Sequence, residues 1–462
     1  MILENRTFDE IEIGESAEQI RLLSVDDIFT FVAASGNYNS MHLPGEDGDG
    51  DGVADGVAPS MLLASLISGV LGTQLPGPGT LYLRQTLNWG ARAHAGETLV
   101  TRVEVTEKHD DGTIALETQV LRQDDGEMVV RGTAQVIAPR HKVRSDDSQF
   151  PGLILQSHRH FEALLEKARP LPALRTAVVC PDEVNSLGGA VQAAKESIIE
   201  PILIGKSDLI RAAAQELGAD ISGFELIDEA DDRKAAALGV ALVREGRAQA
   251  LMKGHLHTDD LLRPMLDKEK GLRVGRRFTH VFVLDIPGLP HLLTISDAAI
   301  NIAPDLKTKV DIVQNAIDLV RSLGVETPRA GILSAVETVN PDIQSSLDAA
   351  LLSKMADRGQ IRGGLVDGPL AMDNAVDLAA ARTKGIKSEV AGQADILIVP
   401  NLDAGNMLAK QLTYISHAEA AGLVLGASVP VILNSRSDGQ MSRLASCAVA
   451  ALHHDRMRGG GK

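Results

Sequence analysis

From residue 176 onward the chain alternates short, continuous apolar runs with stretches whose apolar residues recur at helical spacing, and this alternation restricts it to one broad class of fold. The runs are Thr176–Cys180, Pro201–Ile204, Phe224–Ile227, Ala248–Met252, Val281–Asp285, Leu292–Ile295, Gly331–Ser334, Ile396–Val399 and Val429–Leu433, with helices expected between them, for example over 189–199 and 208–217. A strand that is apolar along its whole length must be covered on both faces. The pattern therefore predicts an α/β domain, a doubly wound parallel sheet between layers of helices.

Upstream the period changes. The segments 79–89, 98–107, 113–122 and 128–137 read as antiparallel strands, and Asp111-Gly112 and Asp125-Gly126 are dipeptides that turn tight hairpins. One uniformly apolar helix is expected over 60–73, ended by Leu75-Pro76-Gly77-Pro78-Gly79. A sheet wrapped around a helix, an α+β arrangement, follows. Between Pro139 and Leu171 the chain turns polar, which sets the expected division: a first domain over 1–140, a linker and helix over 141–170, and the α/β domain over 171–455. A chain of 462 residues is long enough for two or three domains.

Composition narrows the function classes. The net charge of −17 argues against nucleic acid as a partner, so an anionic ligand must meet a local basic pocket. Cys180 and Cys447 alone cannot form a disulfide framework and fit a reducing compartment. The first residues carry no basic segment followed by an apolar core, and Met61–Leu71, the most apolar stretch, is too short to span a bilayer. A cytoplasmic protein without a membrane partner is expected.

In open α/β sheets ligands collect at the carboxyl ends of strands, so the polar residues that follow the apolar runs are the first candidates. Five such places occur: 253–258, 296–301, 334–338, 400–406 and 434–438. The last puts Ser435, Arg436 and Asp438 within one turn, where a hydroxyl can donate to an oxyanion, a guanidinium can match a phosphate and a carboxylate can accept a thiol proton. It reads equally as a helix cap. The basic cluster Lys268, Lys270, Arg273, Arg276 and Arg277 either holds the phosphates of a nucleotide-like ligand or is a solvated face.

These residues carry a resemblance. Leu251-Met252-Lys253-Gly254, His257–Pro264, Ser296–Pro304, Leu402–Lys410 and Ser435–Asp438 resemble, in order, the phosphate acetyltransferase and butyryltransferase family. The resemblance implies two α/β subdomains with a cleft between them and the exchange of an acyl group between coenzyme A and inorganic phosphate, with no cofactor beyond these substrates. It implies that Ser435 and Arg436 stabilise the tetrahedral intermediate and that Arg263 holds phosphate. Asp438 becomes a candidate thiol base, although acetyl-specific members place their acid seven positions after the Ser, where this chain has Ser442. The candidate substrate contacts are Lys253, His257, Thr258, Arg263, Arg276, Arg277, Asp297, Asn301, Asn406 and Lys410.

In the first domain the helix, the strands and the run Ala34–His42 resemble the hot-dog fold of R-specific enoyl-CoA hydratases (MaoC-like). The family's catalytic Asp and His fall on Asn37 and His42, and its His-Gly at the start of the central helix falls on Pro59-Ser60. An amide cannot take a proton as a carboxylate does, so a noncatalytic acyl-CoA-binding or dimerising module is the better reading than a working hydratase. His42 could equally be a packed histidine at a helix start. The whole chain resembles the fused proteins described as bifunctional enoyl-CoA hydratase and phosphate acetyltransferase, which implies a homo-oligomer.

Asp47, Asp49, Asp51 and Gly52 imitate a calcium loop, but Ala58 stands where a bidentate Glu belongs, so the segment reads as a solvated loop and no metal ligand set is assigned. Two competing readings of the chain are a noncatalytic acyl-CoA scaffold and an isocitrate-type dehydrogenase. Against the second, no strand is followed by a Gly-x-Gly-x-x-Gly helix start.

Overall fold

The computed structural model describes residues 2–146, 159–435 and 438–459. The chain divides into two compact units, residues 1–155 and 156–462.

The first unit contains β1 (Ile2–Glu4), β2 (Ser16–Leu22), α1 (Val25–Ser35), α2 (Ser60–Thr73), β3 (Leu81–Trp89), β4 (Thr98–Lys108), β5 (Thr113–Arg122), β6 (Met128–Ile137) and β7 (Arg144–Asp146). Five strands form an antiparallel sheet in the order β2-β4-β5-β6-β3, and β1 pairs with β7. The β4–β5 turn closes as the sequence dictates. Gly112 takes a φ of 92°, and the Asp111 carboxylate accepts the backbone N–H of Thr113 at 2.9 Å and its hydroxyl at 2.7 Å. The inward residues of β4 and β5, among them Val103, Val105, Ile114 and Leu116, bury against Ile67, Val70 and Leu71 of α2. Truncating a side chain such as Ile67 to Ala would cost about 2–5 kcal/mol.

Four elements of this unit were not foreseen, β1, β2, α1 and β7. α1 starts at a capping box in which Ser24 and Asp27 exchange hydrogen bonds. Arg144–Asp146, expected in the linker, is a strand, while the expected linker residues 147–158 lie outside the described residues.

The second unit contains α3 (Arg159–Ala168), β8 (Leu174–Val179), α4 (Val184–Lys195), β9 (Ile199–Gly205), α5 (Ser207–Leu217), β10 (Glu225–Asp228), α6 (Asp232–Arg244), β11 (Ala250–Lys253) and α7 (Thr258–Met265). There follow β12 (Thr279–Asp285), β13 (Leu293–Ser296), α8 (Leu306–Ser322), β14 (Arg329–Leu333), α9 (Gln344–Asp357), β15 (Leu365–Leu370), α10 (Met372–Val376) and α11 (Leu378–Thr383). The last elements are β16 (Ile396–Ile398), α12 (Leu402–Tyr414), β17 (Glu419–Leu425), β18 (Val431–Ile432) and α13 (Gln440–Arg458).

Among the described residues the strands form one eleven-stranded sheet, β10-β9-β8-β11-β18-β17-β12-β13-β16-β14-β15. The expectation of a parallel sheet needs correction at its centre. The five strands β10 to β18 are parallel, as are the four from β13 to β15, but β17 runs antiparallel to both neighbours and β12 is antiparallel to β13. Two parallel blocks are thus joined by hydrogen bonds into a continuous sheet. The helix expected over 189–199 begins at 184 because the Glu183 side chain caps the amides of Asn185 and Ser186.

α13 runs through the core. Its Ala445, Cys447, Ala448, Val449 and Ala450 are fully buried, and it packs on α3, α4 and β17. The approach to α4 is close: a Cβ at Gly189 would lie 2.5 Å from that of Arg443. Burial pushes both cysteine thiols up to about 12, so neither is a nucleophile near neutral pH. No helix among the described residues is long and apolar enough to cross a membrane.

Candidate active site

Four of the five strand-end segments contribute to one cavity, as the open-sheet rule leads one to expect, while residues 334–338 do not border it. A cavity of about 570 Å³ takes Lys253 from the end of β11, His257 and Thr258 from the start of α7, Ala299 beyond β13, Asn406 and Lys410 from α12, and Leu433, Asn434, Ser435 and Asp438 beyond β18. One side is apolar, with Leu256, Phe282, Ala409, Ala420 and Leu433, so the cavity offers both a polar and an oily wall.

The Ser435 loop is pinned from three directions. The Asp438 carboxylate accepts the backbone N–H of Ser435 at 2.8 Å and the side-chain amide of Asn434 at 3.3 Å. Arg443 Nη2 donates to the Ser435 carbonyl at 2.9 Å. The Lys253 ammonium, on a residue only 3% exposed, faces the carbonyls of Gly254 at 3.3 Å and Asn434 at 3.5 Å. Burial raises the Asp438 carboxyl above its usual value and the charge of Glu419 adds to this, while the Ser435 and Asn434 amides and Arg443 oppose it. Asp438 therefore fastens the loop, the capping role that the sequence left open.

Other expected residues lie elsewhere. Asp297 is buried, and its carboxylate receives the amides of Ala299, Ile300 and Asn301. Asn301 also donates to the Phe278 carbonyl at 2.9 Å, so this pair builds the turn after β13 rather than lining the cavity. Arg263 is exposed on α7. Arg276 is bound to Asp318 at 2.6 Å and borders a separate cavity of about 600 Å³ beside Arg321, His453 and Arg456. Arg277 is exposed, and neither it nor Arg263 lines the cavity around Ser435. Arg436 lies outside the described residues.

Three residues of the site escaped the sequence reading. His280 of β12 borders the cavity and is fully buried, and among the described residues neither ring nitrogen has a partner in hydrogen-bond geometry. Burial lowers its pKa, against the pull of Asp297 and the nearby Leu433 backbone, so the ring is neutral near pH 7. Arg443 is 1% exposed, and among the described residues its Nε and Nη1 have no hydrogen-bond partner. Glu419 opens β17 and accepts the Ser442 hydroxyl at 2.5 Å. A histidine inside an apolar strand and a lone charge on an apolar helix face were the available signals for the first two.

In the first unit Asn37 and His42 do meet. His42 Nδ1 is 2.6 Å from the Val57 carbonyl, which places its proton there, and the Asn37 amide nitrogen is 3.1 Å from Nε2. The lone pair that would take a proton is thus covered by an amide N–H. α2 starts at Ser60 after Pro59, with no side-chain cap. Asp47, Asp49 and Asp51 converge but are exposed, and Asp47 spends its oxygens on the amides of Gly50 and Gly52.

Comparison with known proteins agrees with the second unit's geometry. The family model described as Phosphate acetyl/butaryl transferase matches residues 232–451. The phosphate acetyltransferase of Rhizobium meliloti is 54% identical over 298 residues, which cover 64% of this chain and 94% of that protein. The phosphate butyryltransferase of Clostridium beijerinckii is 42% identical over 294 residues, 64% of this chain and 97% of the other. A branched-chain phosphotransacylase from Enterococcus faecalis V583, known as a crystal structure, is 31% identical with a TM-score of 0.54 and matches 61% of this chain and 99% of its own. With a relative matched over nearly its full length at such identity, the chain belongs to the phosphate acetyl/butyryl transferase family.

Proposed function

We propose that the second unit exchanges a short acyl group between coenzyme A and inorganic phosphate in the cavity around Ser435. The observation that carries this reading is the convergence of Lys253, His257, Asn406, Lys410, Ser435 and Asp438 on one space with an apolar wall. In the direction from acyl phosphate, the thiolate of coenzyme A attacks the carbonyl carbon, the electron pair moves onto oxygen, and collapse expels phosphate. The Ser435 hydroxyl donates to that oxygen, while the Lys253 ammonium offsets the negative charge. Phe282, Ala409 and Ala420 leave room for an acyl chain of a few carbons.

The test is a panel of acyl-CoA thioesters assayed with and without phosphate, following free thiol. Absence of phosphate-dependent release would overturn the reading. Ser435→Ala separates it from an acyl-CoA scaffold without turnover, since an unimpaired variant would place the chemistry elsewhere.

For the first unit we read the five-stranded sheet around α2 as a hot-dog module that binds acyl-CoA, with hydratase turnover weakened by Asn37. The covered His42 nitrogen supports this. A cytoplasmic homo-oligomer is the setting that goes with it. Titration of a nonhydrolysable acyl-CoA into the protein, with hydration of a trans-2-enoyl-CoA measured beside it, decides between binding and turnover.

A further inference from the structure

Within the reading above, one step lacks an agent: something must take the proton from the thiol of coenzyme A. Asp438 is the carboxylate nearest Ser435 in sequence, but its Oδ2 is held by two N–H groups that fix the loop. Ser442, in the first turn of α13, is 7% exposed and borders the same cavity. Its hydroxyl donates to Glu419 Oε2 at 2.5 Å, the short contact of a charge-assisted hydrogen bond. Among the described residues no cation pairs with Glu419, so this half-buried carboxylate faces the site through a hydroxyl alone.

We propose that Glu419, acting through Ser442, is the proton acceptor for the coenzyme A thiol. As the sulfur–carbon bond forms, the thiol proton passes to Ser442 Oγ while the Ser442 proton passes to Glu419. The carbonyl pair moves onto oxygen, then returns as the carbon–oxygen bond to phosphate breaks. The proton on Glu419 is released to solvent after phosphate leaves. In this arrangement Asp438 positions Ser435 and Glu419 is its proton-handling counterpart, two carboxylates given separate tasks by their surroundings. Burial raises the Asp438 carboxyl above its usual value, and the nearby charge of Glu419 adds to this.

Other titratable groups near this pair are Lys253 and His257 from the β11 end, His280 from β12, and Lys410 and Tyr414 from α12. Asp285 faces Glu419 across the ladder and Arg443 stands one residue beyond Ser442. The pH profile must therefore be read as a difference between variants.

Glu419→Gln keeps an oxygen that accepts the Ser442 hydroxyl, so the fold is retained, and Ser442→Ala interrupts the relay without touching the carboxylate. Each should lower kcat by about 10²–10⁴, the usual contribution of a general base, with little change in KM for coenzyme A. Each should also remove the acid-side limb of the kcat–pH profile, and the double variant should fall no further than either single one. The proposal is overturned if either variant keeps wild-type kcat and limb, if the losses multiply, or if Asp438→Asn rather than Glu419→Gln removes the limb. A wild-type protein without phosphate-dependent exchange would instead sink the proposed function.

Discussion

His453 gives a sharp test of how this core depends on pH. The ring is buried on α13, with Nδ1 2.9 Å from the Ser322 hydroxyl. Burial depresses its pKa from 6.5 to about 4, Asp318 opposing and His454 and Arg456 adding to the fall. Above the unfolded value both states carry a neutral ring and the stability is fully present. Between 6.5 and about 4 the unfolded chain takes up a proton that the folded one refuses, so stability falls as the pH is lowered, and below about 4 the loss is complete.

At about 1.4 kcal/mol per unit, going from about pH 7.5 to about pH 4.5 removes roughly 2.5 kcal/mol through this group alone. His453→Gln retains a hydrogen-bonding side chain and cannot titrate. Urea unfolding of both proteins at the two pH values should show the wild type losing about 2.5 kcal/mol more than the variant. Far-ultraviolet circular dichroism is the appropriate probe, because the single tryptophan, Trp89, reports on the first unit only. Equal losses in the two proteins would refute the reasoning, since all other titrating groups are common to both.

Three further outcomes are expected. Lys309 and Asp348, paired at 2.7 Å with side chains 6% and 7% exposed, are a buried ion pair: Asp348→Asn alone should cost about 3–5 kcal/mol in calorimetry, whereas Lys309→Met with Asp348→Leu should cost far less. In Gly405→Ala the new Cβ would lie 2.7 Å from the Asp297 carbonyl oxygen, so α12 with Asn406 and Lys410 must shift. About 1–3 kcal/mol of stability and a larger share of acyl exchange than of substrate binding should be lost, and an unchanged kcat would count against α12 as a wall of the site. Asn37→Asp restores a carboxylate beside His42 Nε2 and should raise hydration of a short trans-2-enoyl-CoA above the wild-type level, without altering phosphate-dependent exchange.

Much of this molecule is written locally. Asp-Gly turns and alternating strands give β4, β5 and β6 within a residue or two, because a hairpin is decided by neighbours in the chain. β17 was not legible: its Ala-Ala-Gly start lacks the branched side chains that mark strands, and it is a strand because β12 and β18 flank it. β15 contains Gly368-Pro369, which argues against a strand, yet it lies at the sheet edge where a missing N–H is tolerated. The site divides the same way. Lys253, His257 and Ser435 follow directly on strands and could be read off their position, whereas Glu419 and Ser442 are 23 residues apart and meet only through packing of α13 on β17. For the basic cluster the sequence left a ligand site and a solvated face both open, because charge in a sequence does not say which arginines are already paired, as Arg276 is.

The shortest strand of the large sheet sets where it can give. β18 bonds to β11 and to β17 through only two residue pairs each, whereas β17 and β12 share seven. Any flexing of one block against the other concentrates at this narrow seam, and the chain leaves it directly into Asn434 and Ser435. Opening the sheet there would carry the serine with it, so access for a bulky thioester and alignment of its reacting carbon would be governed by the same few amides. Their exchange with solvent deuterium should outpace that of β12 and slow when ligand is bound.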